Sequence, residues 1–135
     1  MKRVQEEGID NIIFLDSVGK ASIGDLIEYF DCCYMGSMKS PLYRFGISFN
    51  KMYDSMMAGK PIICAIDTPE CLVDKYECGI VIRNGKPSEI QGAIERLFNM
   101  QEYERIEMGR KGKEAVLKYY NYTTLAEQFE KLFKE

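Results

Sequence analysis

Pro61-Ile62-Ile63-Cys64-Ala65-Ile66 is an unbroken apolar run, with Gly59-Lys60 before it and Asp67-Thr68-Pro69 after it. A short run of this kind, bounded by turn residues, reads as a strand buried on both faces, as the strands of a helix-covered parallel sheet are. Immediately upstream, a helix opening at Ser48 or Asn50 carries Met52, Tyr53, Met56 and Met57 and is stopped by Gly59 and Pro61. Before that helix lies a Gly/Ser/Pro-rich loop, and before the loop a second strand candidate, Cys32-Cys33-Tyr34-Met35. Further out, Asn11-Ile12-Ile13-Phe14-Leu15 is β-branched and aromatic and predicts another strand. Ser22 is then placed to cap a helix bearing Ile23, Leu26, Ile27 and Phe30.

Downstream, Pro69 to Glu77 predicts a helix, and Gly79-Ile80-Val81-Ile82 a fourth strand ended by Asn84-Gly85. The resulting alternation predicts a Rossmann-like α/β fold: a parallel sheet of about four strands, helices on both faces, and helices at the C-terminus. From Pro87 the character changes. Ile90, Ala93, Ile94, Leu97 and Phe98 recur at helical spacing, a further helix spans about Tyr103 to Tyr120, and Leu125, Phe129, Leu132 and Phe133 define a last one. The chain thus reads as a single domain over 1–135, with an α/β core over about 1–86 and a helical part over about 87–135.

Composition narrows the function. At 135 residues the chain has room for one domain, and 46% hydrophobic with 29% charged residues is ordinary globular usage. Lys and Arg total 18 against 21 Asp and Glu, a net charge of −3, which argues against a nucleic-acid partner held by charge. The five cysteines show no C-x-x-C spacing, and there is no histidine, so common zinc sites and Ser-His or Cys-His catalysis are excluded within this chain. Cys32, Cys33 and Cys64 lie in apolar runs and read as reduced packing residues of a cytoplasmic protein. No apolar run approaches the ~18 residues of a membrane span. The last 35 residues hold seven acids and seven bases, a solvated helical face. Within it, Arg110-Lys111-Gly112-Lys113, diluted by Glu107 and Glu114, reads as a turn between helical pieces.

Ligands of such sheets gather at the carboxyl ends of strands, beside helix N-termini. This directs attention to Tyr43-Arg44-Phe45-Gly46-Ile47-Ser48-Phe49-Asn50-Lys51-Met52-Tyr53-Asp54. Gly46 permits close backbone approach to a ligand, the helix start offers free N–H groups to an anion, and Lys51 adds a positive charge. Asp54, one turn on, is an acceptor for ligand hydroxyls. Diphosphate at the helix start and ribose at the acid make a coherent nucleotide arrangement. On residue type alone, each of these reads first as a turn, an exposed cation or a solvated acid, and the Met52, Met56 and Met57 set reads as packing.

The stretch Gly46-Ile47-Ser48-Phe49-Asn50-Lys51-Met52-Tyr53-Asp54-Ser55-Met56-Met57-Ala58-Gly59-Lys60-Pro61, followed by Gly79-Ile80-Val81, resembles the C-terminal domain of family-four retaining GT-B glycosyltransferases. Many of these carry G-[VI]-S-x-N-K-x-x-[DE] and A-x-G-K-P; this chain has one extra Met before Ala58-Gly59-Lys60-Pro61. Asn11 to Asp31 is similar to the family's N-V-x-F-L run, and Met108-Gly109-Arg110-Lys111-Gly112 to its M-G-x-x-G segment. The resemblance implies that Asp54 binds ribose hydroxyls. It implies that Phe45, Gly46 and Ile47 approach the diphosphate and donor sugar, and that Ser48, Asn50 and Lys51 meet phosphate. Lys20, after the first predicted strand, corresponds to a position near the base in some members. The family's other acid, eight residues before the second, falls on Gly46, or on Tyr43 if Phe45-Gly46 is aligned with the family's F-G. Neither alignment supplies a carboxylate.

The resemblance further implies transfer of a sugar from a nucleoside diphosphate, UDP or GDP, to a glycan or lipid-linked acceptor, with no metal and no separate cofactor. It implies a separate N-terminal acceptor domain that this chain lacks, along with the family's catalytic histidine. No catalytic residue is therefore expected here, and this portion alone is expected to be inactive. The parent enzyme would belong to bacterial surface-polysaccharide biosynthesis, in the cytoplasm at the inner membrane face. Two other readings stand beside it: a fragment of a sugar-nucleotide epimerase, and a non-catalytic flavodoxin-like interaction module. A partial sheet with an unpaired edge also predicts self-association.

Overall fold

The computed structural model describes residues 2–83 and 85–134. Its centre is a parallel sheet of three short strands, β1 (Cys33–Gly36), β2 (Ile62–Ala65) and β3 (Gly79–Val81), in the order β1-β2-β3. Cys33 pairs with Ile62, and Ile62 with Gly79. The Pro61–Ile66 run is the middle strand, and every residue of β2 is buried. Its side chains alternate between two cores, as the twofold pleat requires. Ile62 and Cys64 enter one with Met35, Met52 and Met56, while Ile63 and Ala65 enter the other with Ile82, Ala93 and Leu97.

Helices cover both faces. α1 (Lys2–Glu6) and α2 (Ile23–Glu28) precede the sheet; α3 (Asn50–Met57) and α4 (Leu72–Lys75) connect its strands; α5 (Pro87–Asn99), α6 (Glu102–Tyr119) and α7 (Tyr122–Lys131) follow it. α3 supplies Met52 and Met56 to the first core, both fully buried, in keeping with the packing role read for them, whereas Met57, given the same role, is 44% exposed and joins neither core. α5 supplies Ala93 and Leu97 to the second. From Pro87 onward the described residues form helices and the turns joining them, as the change in pattern implied. The turn assigned to Asn84-Gly85 falls partly on Asn84, outside the described residues.

The sheet departs from expectation at its start. Asn11–Leu15 forms no strand, so three strands stand where about four were expected. Ile13 and Leu15 are 81% and 64% exposed, although β1 occupies a sheet edge. A lone apolar run gains nothing from β geometry unless a neighbour takes up its N–H and C=O groups, and this one has none among the described residues. Together with Phe129 on α7 and Phe133 just beyond it, which stand largely in solvent, it contributes to a surface of 10311 Å². A compact monomer of this mass would expose about 7,300 Å².

The second correction concerns the basic cluster. Arg110-Lys111-Gly112-Lys113 lies in the middle of the unbroken helix α6 and is not a turn. Arg110 is held by Glu107 and Glu114 on its own helix, and Lys111 reaches Glu77 at 2.6 Å. The glycines of this segment serve packing. A Cβ on Gly109 would overlap the carbonyl of Gly59, and one on Gly112 would press on Cys78, so α6 crosses the end of α3 at backbone distance. Similarly, β3 lies so close to β2 at Gly79 that a side chain there would strike the Ile62 backbone.

Candidate functional site

At the carboxyl ends of β1 and β2 lies a cleft of about 490 Å³. β1 and the residue after it supply Tyr34, Met35, Gly36 and Ser37 to its walls; Ile66 follows β2, and Asn50 and Lys51 open α3. Tyr43 and Phe49, from the connecting loop, complete it. This is where a parallel sheet places ligands, because strand ends and helix starts converge there.

The loop is built around Tyr43. A short 3₁₀ turn, Pro41–Phe45, begins where Ser40 Oγ accepts from the Leu42 amide at 3.3 Å, with Pro41 as its first residue. Tyr43 is then fixed at three points. Its hydroxyl lies 2.5 Å from Ser37 Oγ, its carbonyl accepts from the buried Thr68 hydroxyl at 3.1 Å, and its ring meets Phe49 edge-on. Gly46 follows with φ +93°, a left-handed backbone that favours glycine, and the chain runs on through Phe49 (φ −95°, ψ 126°) into α3.

The start of α3 has no side-chain cap. The Met52 amide donates to the Phe49 carbonyl at 2.9 Å, whereas the amides of Asn50 and Lys51 have no protein acceptor among the described residues. Such amides suit an anion. Among the described residues, Lys51 is the single charged one in the cleft wall, and none brings a carboxylate to it. Nearby, Asp67 is occupied by Lys39 at 3.7 Å. The wall therefore offers one cation, an amide side chain, hydroxyls from Tyr34, Ser37 and Tyr43, and aromatic faces: groups that receive an anionic, hydroxyl-rich ligand.

The sequence-derived candidates divide. Asn50 and Lys51 sit in the wall. Asp54 is exposed one turn along α3, on the same side as Asn50 and Lys51 by helical spacing, but outside the cleft wall. Ser48 is exposed with its hydroxyl 3.4 Å from that of Tyr53. Phe45 is 76% exposed beneath the Arg44 guanidinium, 4.6 Å from its ring centre. Gly46 spends its amide on the Tyr43 carbonyl at 3.1 Å, and Ile47 packs against the core. Lys20 opens a 3₁₀ turn ahead of α2 and is exposed, outside the cleft wall. Sequence reasoning did not assign Tyr34, Ser37, Tyr43 or Phe49 to the site. The signal that could have found them was the rule that strand ends bind, applied to the residues after Met35 as well as to the helix beyond.

Among the described residues no His, Cys, Asp or Glu group is arranged to hold a metal ion, and no helix is long and apolar enough to cross a membrane. Comparison with family models, with curated proteins and with solved structures gives no match.

Proposed function

We propose that the chain is the donor-nucleotide portion of a retaining glycosyltransferase, binding a UDP- or GDP-sugar whose diphosphate sits at the start of α3. The observation that carries this reading is the cleft itself: unpaired amides of Asn50 and Lys51, the Lys51 ammonium, and a wall to which no described residue brings a carboxylate. The resemblance of Gly46–Pro61 to the family motif adds the ribose role for Asp54, reached by a ligand extending from the cleft along α3. In a complete enzyme these dipoles and the cation would stabilise the departing diphosphate as the donor's glycosidic bond breaks. The acceptor would come from a separate domain on the cytoplasmic face of the membrane. The surface in excess of a compact monomer supports burial against further protein.

Calorimetric titration tests the reading, with UDP, GDP, ADP and pyrophosphate added to the chain and to two variants. UDP or GDP is expected to bind. Lys51→Ala should weaken every phosphate-bearing ligand about tenfold, the weight of one charge-assisted hydrogen bond. Asp54→Ala should weaken the nucleotides and leave pyrophosphate unchanged. A folded chain that binds no nucleoside diphosphate, or binds it equally well after Lys51→Ala, overturns the assignment.

A further inference from the structure

Beneath the cleft, the first core contains three buried cysteines that the reading above does not use: Cys64 on β2, Cys71 just before α4, and Cys78 just before β3. Two of them are paired. The sulfurs of Cys64 and Cys71 lie 3.6 Å apart and share a thiol hydrogen bond. Cys78 is engaged elsewhere, its thiol directed at the Leu72 carbonyl at 3.9 Å. A disulfide needs about 2.05 Å between sulfurs, so Cys64 and Cys71 must close by roughly 1.5 Å. Cys71 ends the loop Asp67–Cys71, in which Asp67, Pro69 and Glu70 are exposed and Thr68 and Cys71 buried, so the movement can be taken up by a loop outside the strands.

We propose that Cys64 and Cys71 are a redox-active dithiol that a peroxide closes to an intramolecular disulfide. The two sulfurs differ in a way that assigns their roles. Cys71 keeps 5% of its surface exposed, while Cys64 is fully enclosed. Cys71 is therefore the attacking thiolate and Cys64 the resolving thiol.

The reaction balances in two steps. The Cys71 thiolate attacks one peroxide oxygen, the O–O bond breaks, and the second oxygen leaves as water by taking up the proton that Cys71 released on ionising. Cys71 is now a sulfenic acid. The Cys64 sulfur then attacks the Cys71 sulfur, the S–O bond breaks, and the hydroxide departs as water with the Cys64 proton. Two thiols and one peroxide give one disulfide and two waters, the sulfurs having lost the two electrons that the peroxide gains.

Closure would staple the segment 64–71, which contains Ile66 of the cleft wall and Thr68, the residue that holds the Tyr43 carbonyl. The test uses the folded chain. It is treated with hydrogen peroxide, the remaining thiols are alkylated after unfolding, and the peptides are mapped by mass spectrometry. A Cys64–Cys71 cross-linked peptide is expected, with the other three cysteines alkylated. Cys78→Ser should retain the cross-link and Cys71→Ser should lose it. The wild-type map decides even if Cys71→Ser fails to fold. Recovery of all five thiols, a different pairing, or sulfinic acid at Cys71 without a cross-link overturns the proposal.

Discussion

Adding one methyl group at three helical glycines measures how tightly α6 crosses α3. Gly→Ala in a helix interior gains about 1 kcal/mol where nothing obstructs the new carbon. Gly92 of α5 is that case, since a Cβ there meets nothing within 4 Å, and Gly92→Ala should stabilise the chain by about 1 kcal/mol. At Gly112 the nearest atom is the Cys78 Cβ at 3.0 Å, with the Cys78 sulfur at 3.4 Å and the flexible Met56 side chain at 3.5 Å. Overpacking that side chains can absorb costs about 1 kcal/mol, so Gly112→Ala should be close to neutral. At Gly109 the obstacle is the Gly59 backbone: the new carbon would sit 2.6 Å from the Gly59 carbonyl carbon and 3.2 Å from the Lys60 nitrogen. Backbone cannot swing aside, and a cost of about 3 kcal/mol leaves a net loss of about 2 kcal/mol. Urea unfolding should show this as a midpoint lowered by about 1 M at an unchanged slope of roughly 2 kcal/mol/M. Gly109→Ala matching Gly92→Ala in stability would refute the close crossing.

Two further outcomes follow from buried polar groups. Thr68→Val keeps the shape of a side chain that is 2% exposed but removes one of the two hydrogen bonds to the Tyr43 carbonyl, leaving it the Gly46 amide alone, and urea unfolding should register a loss of about 1 kcal/mol. Burial pushes the Cys78 thiol up to about 11. The unfolded chain sheds this proton near pH 9 while the folded chain retains it, so the contribution is complete below pH 9 and is lost as pH rises through 11. The total is about 2–3 kcal/mol, and stability measured from about pH 8 to pH 10.5 should fall more steeply in the wild type than in Cys78→Ala.

The legible parts of the fold were those that local pattern determines. Ile62–Ala65, Cys33–Gly36 and Gly79–Val81 are short apolar runs between turn residues, and each became a strand. Asn11–Leu15 has the same local character and did not, because strand formation depends on a neighbour that composition cannot reveal. Arg110-Lys111-Gly112-Lys113 read as a turn between helical pieces; only the approach of Gly59 and Cys78 from elsewhere in the chain shows Gly109 and Gly112 to be contact points within one helix. The site divides the same way. Asn50 and Lys51 were legible as the start of a helix after a loop. Tyr43 was not, since its place depends on Ser37 and on Thr68, 25 residues further along the chain. The nearness of Cys64 and Cys71 likewise comes from the loop between β2 and α4, not from any spacing motif.

α3 is eight residues long, about 12 Å from end to end. One end borders the cleft; the other is pinned under α6 by a glycine-to-glycine contact. So short a rod has no room to bend between its two attachments, and slack admitted at the pinned end must be felt by whatever sits at the open one. Substitutions that tune the proposed cleft can therefore act from the far side, through residues that do not line it.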